Sequence, residues 1–187
     1  MFLPCIGSIG YWGSLVTESK PVITTLHTFQ KQSSLSQCEI VTANGRLKIS
    51  VPTIKQTRKG AYSDVEIDYT DKWQIEWWRG IENAYQKSPF FLYYDYKIKP
   101  KILANEKYLL DYNLAIVSTL WDILKIETPL EINNVTAVYF KEMEACSNPA
   151  YPQVFDSKIP FCENVCVLDA LFNLGPETLD YLLSINK

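Results

Sequence analysis

Residues Tyr151–Glu177, YPQVFDSKIPFCENVCVLDALFNLGPE, combine a proline-containing turn, an apolar run and a Gly-Pro break in one short stretch. Asn164 is a residue type that caps helices, and the apolar run behind it predicts a helix that continues to Phe172. Gly175 is expected to end this helix, and Pro176 to begin a last one at the position proline favours. This part of the chain therefore packs as two consecutive helices.

One carboxylate, Asp169, interrupts the apolar run of that segment. A carboxylate buried without a partner is costly, so Asp169 is expected to be paired, exposed or functional. A simple structural pair and a chemical role both remain open. Tyr151 and Gln153 supply a hydroxyl and an amide beside the turn, which suits either hydrogen bonding to a hydroxylated ligand or anchoring of a loop.

The chain begins with alternating strand and helix signals. Phe2–Ile6 is a short apolar strand candidate, Ser8–Glu18 places apolar residues on one side of a helix, and Val22–Leu26 is rich in β-forming residues. This order predicts a βαβ start.

A β-hairpin is the clearest local pattern. Cys38–Thr42 and Leu47–Val51 flank Asn44-Gly45, and an Asn-Gly pair tolerates the positive φ that a type I′ turn requires. Ile54–Ala61 then reads as a mobile, solvated loop that carries a small basic cluster.

Helix signals dominate the middle of the chain. Asp71 and Gln74 resemble a capping box ahead of a Trp-rich helix, Glu106–Lys125 shows helical spacing, and Val135–Phe140 reads as a strand. We predict an α/β fold with a mixed sheet, packed helices and the β-hairpin, and α+β as the alternative. A single domain over residues 1–187 is expected.

Composition excludes several function classes. The net charge is −3, so no basic excess exists to follow a nucleic-acid backbone. No apolar run approaches the ~18 residues of a membrane helix, and the N-terminus lacks the pattern of a signal peptide. We therefore expect a cytoplasmic protein without a transmembrane segment.

The five cysteines and the single histidine limit metal and thiol chemistry. An odd cysteine count argues against a disulfide framework, and a zinc site needs about four ligands, so no metal site is predicted. A cysteine nucleophile would require His27 to meet Cys38 or Cys162.

Several polar side chains could form a site. No nucleotide-binding or nucleophile-elbow motif is present, so no cofactor is assigned. The candidates outside the last segment are Lys31, Gln32, Arg79 and Tyr85. Arg79 falls in the Trp-rich helix, where it suits either solvent or a phosphate or carboxylate.

Most of the chain resembles the WbqC-like family, bacterial proteins often encoded among O-antigen and other surface-polysaccharide genes. The similar pieces follow an Ile9-Gly10-Tyr11-Trp12 start and are Lys31–Pro52, Ser63–Phe91 and Tyr151–Glu177. The chain departs from the family pattern at Leu35-Ser36-Gln37, where many members have Arg-Asn-Arg, and at Asn148, where some have His. It also has Leu3-Pro4-Cys5 where many have Gln-Pro.

The resemblance implies a transferase of surface-polysaccharide biosynthesis, with glycine or other aminoacyl transfer to a sugar or lipid-linked sugar. On the basis of this resemblance, Arg79 and Lys31 are predicted to hold an anionic group, and Asp169 is predicted to act as base or orienting residue. The predicted substrate-binding residues are Lys31, Gln32, Tyr85, Tyr151, Gln153 and Asn173. The alternative is a non-catalytic binding or assembly protein of such a pathway, and the oligomeric state is left open.

Overall fold

The computed structural model describes residues 1–136 and 147–185. The α-helices of these ranges are α1 (Ile9–Thr17), α2 (Trp73–Tyr85), α3 (Phe91–Ile102), α4 (Leu109–Ile123), α5 (Val167–Leu174) and α6 (Thr178–Ser184). The strands are β1 (Val22–Leu26), β2 (Gln37–Thr42), β3 (Gly45–Ser50) and β4 (Glu131–Thr136). Short 3-10 turns lie at Thr57–Lys59, Tyr62–Asp64 and Gly175–Glu177.

Helices packed around small sheets confirm the predicted fold class. Within the described ranges the strands form two separate pairs, a parallel β1–β4 pair and an antiparallel β2–β3 hairpin. The βαβ start is reduced to a parallel bridge between Phe2 and Thr24.

The outer edge of β2 explains why the hairpin does not continue into the other sheet. The carbonyl of Glu39 accepts a hydrogen bond from the Cys166 N–H at 2.7 Å. The N–H of Val41 donates to the Tyr85 hydroxyl at 3.0 Å. Because these backbone groups are already paired, no further strand adds at this edge.

The core is rich in aromatic side chains. Trp12, Tyr62, Tyr85, Tyr112 and Phe172 are among the largest side chains with almost no exposed surface. The buried hydroxyls of Tyr11, Tyr62 and Tyr112 donate to backbone carbonyls, as do the indoles of Trp12 and Trp121. The indole N–H groups of three further buried tryptophans have no hydrogen-bond partner among the described residues: Trp73, Trp77 and Trp78. The high aromatic content of the sequence thus builds the interior.

Two predicted local motifs are wrong in detail. Ala43 and Asn44 form the hairpin loop with negative φ, and the positive φ lies at Gly45, so the turn is not type I′. The capping box is absent, because the side chain of Gln74 donates to the Ala104 carbonyl at 2.6 Å instead.

The predicted helices are otherwise confirmed near their expected positions, with α3 as an addition. The spacing of α3 is irregular and it contains Pro100, which hid it from periodicity arguments. Of the predicted strand Val135–Phe140, only its first two residues lie in β4, and 137–140 lie outside the described residues. None of the helices in the described ranges is long and apolar enough to cross a membrane.

Candidate functional site

The start of α5 is fixed between the hairpin and the loop before α1. The Cys166 N–H is bound by β2, and the Val167 N–H donates to the Gly7 carbonyl at 3.1 Å. Asn164 was expected to cap this helix, but its side-chain oxygen instead accepts from the Gly10 N–H in the first turn of α1 at 2.9 Å. The N-cap residue of α1 itself is Ser8. These contacts place Asp169 in the first turn of α5 with no exposed surface.

The buried carboxylate of Asp169 collects donors from several parts of the chain. Its Oδ1 accepts from the Tyr151 hydroxyl at 2.5 Å, from the Gln153 amide at 2.9 Å and, more weakly, from the Asn173 amide at 3.4 Å. Asn173 also donates to the backbone carbonyl of Asp169 at 2.8 Å. We call Tyr85, Tyr151, Gln153, Asp169 and Asn173 the carboxyl cluster.

Burial dominates the electrostatics of this cluster. Desolvation raises the pKa of Asp169 above its ordinary value, although the hydrogen bonds of Tyr151, Gln153, Tyr85 and Asn173 act in the opposite direction. Desolvation, followed by the charge of Asp169, raises the pKa of Tyr151 and Tyr85. Among the described residues the second carboxyl oxygen, Oδ2, has no partner of ordinary hydrogen-bond geometry. The Tyr85 hydroxyl acts on the carboxyl as a looser hydrogen-bonding neighbour that lowers its pKa.

A raised pKa at Asp169 makes stability depend on pH. The folded chain binds this proton more tightly than the unfolded chain, so the stabilisation is present below the unfolded carboxyl pKa of about 4 and is lost as pH rises through the folded pKa. Asp169→Asn does not titrate. We therefore expect the unfolding free energy of the variant to improve relative to the unchanged protein as pH rises, in urea titrations between acid and neutral pH. A difference between Asp169→Asn and the unchanged protein that stays flat across this pH range would contradict the raised pKa.

The side chains around Asp169 form hydrogen bonds with other groups of the protein. Gln153 forms a two-way bridge to Cys162, accepting from its N–H at 2.9 Å and donating to its carbonyl at 3.0 Å. Asn148 similarly accepts from the Asn164 N–H at 2.5 Å. The structure thus brings Tyr85, Tyr151, Gln153 and Asn173 to Asp169, where they orient the carboxyl and anchor the loop before α5.

A solvent-open cleft of about 460 Å³ lies on the other side of the α5 start. We call it the amide cleft, because glutamine side chains are prominent in its wall. Its lining residues are Gly7, Ser8, Gln30, Gln32, Ser33, Ser34, Gln37, Cys38, Glu39, Lys48, Asn164 and Cys166.

Buried thiols line this cleft. The Cys166 thiol lowers the pKa of Cys38, but a hydrogen bond with Cys5 and burial outweigh it and raise this pKa well above its ordinary value. Burial likewise raises the pKa of Cys166. Both thiols are therefore protonated and weak nucleophiles at neutral pH.

His27 does not supply a base to these thiols. Its ring stacks on Tyr62 with centroids 4.9 Å apart, and burial lowers its pKa. The described residues that shift the pKa of Cys38 are Cys166, Cys5 and Glu39, and His27 is not among them. The cysteine-nucleophile hypothesis thus lacks its base at Cys38, and Cys146 lies outside the described residues.

A second cleft of about 380 Å³ adjoins the first. We call it the cationic cleft, because its charged lining residues are Lys31 and Arg58. The complete lining is Phe29, Lys31, Gln32, Ser36, Gln37, Ser50, Val51, Pro52, Thr53 and Arg58. The segment Thr57–Lys59, expected within a mobile loop, is a 3-10 turn that presents Arg58 to this cleft.

The structure divides the predicted site residues into three groups. The carboxyl cluster is buried except for the half-buried Asn173. Lys31 and Gln32 line the clefts, whereas Arg79 is exposed on α2 and lines neither cleft. Lys31 therefore shares its cleft with Arg58 and not with Arg79. Gln30, Gln37 and Arg58 were not predicted as site residues, because each is an ordinary polar residue in the sequence and only the fold brings them to the clefts.

Comparison with known proteins agrees with the resemblance over most of the chain. Residues 1–142 match the WbqC-like protein family. This matched range includes the segments Lys31–Pro52 and Ser63–Phe91 and ends before Tyr151–Glu177. No curated protein and no solved structure matches the chain. Since the match covers most of the sequence, the chain belongs to the WbqC-like protein family.

Proposed function

We propose that this chain is a transferase of bacterial surface-polysaccharide biosynthesis that binds a hydroxylated, sugar-type substrate in the amide cleft. Membership of the WbqC-like family supports the choice of pathway, because the resemblance implies that such proteins are encoded among surface-polysaccharide genes. The transferred group is an activated small group such as an aminoacyl group. The observation that carries the proposal is a set of three glutamine amides in the cleft wall that form no hydrogen bond with the described residues: Gln30, Gln32 and Gln37.

Gln30, Gln32 and Gln37 line the amide cleft with their side chains. None of the three side chains hydrogen-bonds to another residue in ranges 1–136 and 147–185. By contrast, the amides of Gln74 and Gln153 are bound to backbone or side-chain groups. Each free amide offers two donors and an acceptor, the combination that sugar hydroxyls use.

The charges of the amide cleft favour a neutral ligand there. Lys48 pairs with Glu39 at 3.7 Å, and Arg46 pairs with the same carboxylate at 3.1 Å. The neighbouring thiols are protonated at neutral pH, as their raised pKa values require. A sugar ring meets this surface without needing a counter-charge.

In this proposal Asp169 is a positioning residue. It has no exposed surface, so it holds the first turn of α5 and thereby Cys166 at the cleft. Tyr151, Gln153 and Asn173 fix its carboxyl. The transfer itself then depends on holding donor and acceptor together in a productive geometry.

A second candidate, a non-catalytic binding or assembly protein of the same pathway, is favoured by two observations. Asp169 is out of reach of solvent, and the cleft thiols have raised pKa values. A binding protein needs no activated group, and the amide wall would serve it equally.

Ligand titration tests the shared binding step. We expect Gln37→Ala to weaken binding of glucose or N-acetylglucosamine about tenfold, since each lost pair of hydrogen bonds is worth about 1–2 kcal/mol. Gln86→Ala, at an exposed glutamine outside both clefts, is the matched control. Equal affinity in both variants would contradict the proposal. Product formation from aminoacyl and nucleotide-sugar donors separates the transferase from the binding protein.

A further inference from the structure

We propose that the cationic cleft binds the diphosphate of a sugar diphosphate ester whose sugar lies in the amide cleft. This inference rests on the proposed function and specifies its substrate class. It assigns Lys31 and Arg58 to the diphosphate, a pairing that only the tertiary structure creates.

The cationic cleft carries positive charge without a facing carboxylate. Its charged lining residues are Lys31 and Arg58, and its lining contains no aspartate or glutamate. Neither cation forms an ion pair with a carboxylate in the described ranges. Hydroxyls of Ser36, Ser50 and Thr53 complete the wall. Cations with hydroxyl donors are the combination that phosphate oxygens require.

Arg58 is held in place before any ligand binds. Its Nε donates to the Thr53 hydroxyl at 2.8 Å, and its Nη2 donates to the Thr53 carbonyl. Thr53 is itself only 5% exposed and bridges to Ile67, so it is a firm support. These two bonds leave the remaining guanidinium N–H groups available, and little side-chain freedom remains to be lost on binding.

One acidic residue lies near Arg58 without closing the site. Hydrogen bonds from Thr70 chiefly lower the pKa of Asp68, and Arg58 adds a small contribution. Asp68 does not line the cleft. Lys31 and Arg58 therefore remain the charged side chains of the cleft wall.

The two clefts form one groove. Gln32 and Gln37 line both, so a ligand can extend from one to the other past these two side chains. The volumes of about 460 and 380 Å³ are in the range of small-ligand sites. The neutral amide cleft suits the sugar and the cationic cleft suits the diphosphate, which is the polarity of a sugar diphosphate.

Calorimetric titration with inorganic pyrophosphate tests the anion site. We expect Lys31→Ala to weaken pyrophosphate binding about tenfold, the loss typical of one charge-assisted contact. Lys31 is exposed and forms no ion pair within residues 1–136 and 147–185, so this variant should fold normally. Arg58→Lys, which keeps the charge but loses the fork, should weaken binding as well. Raising the salt concentration should weaken binding of the unchanged protein.

Matched controls come from cations outside the groove. Lys55→Ala removes an exposed lysine of the segment that leads to Arg58, and Arg79→Ala removes an exposed arginine of α2. Both should bind pyrophosphate like the unchanged protein. The inference is overturned if pyrophosphate fails to bind, or if Lys55→Ala weakens binding as much as Lys31→Ala.

Larger probes identify the source of the diphosphate. UDP-glucose represents a nucleotide sugar and farnesyl diphosphate a lipid carrier, and at least one should bind more tightly than pyrophosphate. If neither does, the extension to an ester is wrong. Loss of pyrophosphate binding with sugar binding intact overturns this inference alone, whereas pyrophosphate binding without sugar binding overturns the proposed function.

Discussion

Gly175→Ala is expected to lower the free energy of unfolding by about 4 kcal/mol, as the sum of backbone strain and overpacking. Gly175 ends α5 with φ 57° and ψ −122°, a region that side-chain-bearing residues rarely occupy. An added Cβ would lie 2.5 Å from atoms of the Phe90 ring. The Phe90 N–H is bound to the Phe172 carbonyl at 3.0 Å, so its backbone is held against the helix.

Urea or thermal unfolding measures this loss, and Gly80→Ala is its internal control. Gly80 lies in α2, and the nearest atom to its added Cβ is 4.0 Å away. In a helix interior this change should be neutral or stabilising by up to about 1 kcal/mol. A loss at Gly175 no larger than about 1 kcal/mol would show that Phe90 moves aside.

Asp169→Ala is expected to destabilise the chain by about 3 kcal/mol at neutral pH. It leaves the buried Tyr151 hydroxyl and one N–H of Gln153 without their acceptor, at about 1–3 kcal/mol for each unpaired group. It also opens a cavity at a fully buried position. Relief of the desolvated carboxylate offsets part of this loss, so we expect less than the sum of these costs.

Denaturant unfolding of two further variants separates the contributions. Tyr151→Phe removes one hydroxyl from the carboxyl cluster and should cost about 1–2 kcal/mol. Asp156→Ala, at an exposed aspartate of the same loop, should change stability by less than about 0.5 kcal/mol. If Asp169→Ala stabilises the chain, the carboxylate is a strained group retained for function.

The sequence indicated that Asp169 has a special environment, because burying an unpaired carboxylate in an apolar run is unfavourable in free energy. It also indicated Tyr151 and Gln153, which the structure places on that carboxylate. Their pairing with Asp169, rather than with a ligand, depends on how the loop before α5 folds back. Tyr151 and Gln153 are 18 and 16 residues from Asp169, so patterns within a few residues could not predict these contacts.

Arg79 and Arg58 show the same limit for the clefts. Arg58 lies in a polar stretch and Arg79 lies between Trp78 and Gly80. Neither local sequence distinguishes an arginine that faces solvent from one that lines a cleft. The side-chain and backbone oxygens of Thr53 direct Arg58 into the cationic cleft, whereas Arg79 lies on the exposed face of α2. Position relative to Lys31 therefore follows from packing and not from residue type.

The amino-acid order alone determined the elements whose signals are local: the hairpin, the apolar stripes of α2 and α4, and the helix stop at Gly175. These follow from side-chain periodicity and backbone preferences within a few residues. Tertiary structure alone decided that Gln32 and Gln37 join two clefts and that β2 ends its sheet against α5. Such features arise from contacts between distant segments, whose free energy depends on the whole packed core.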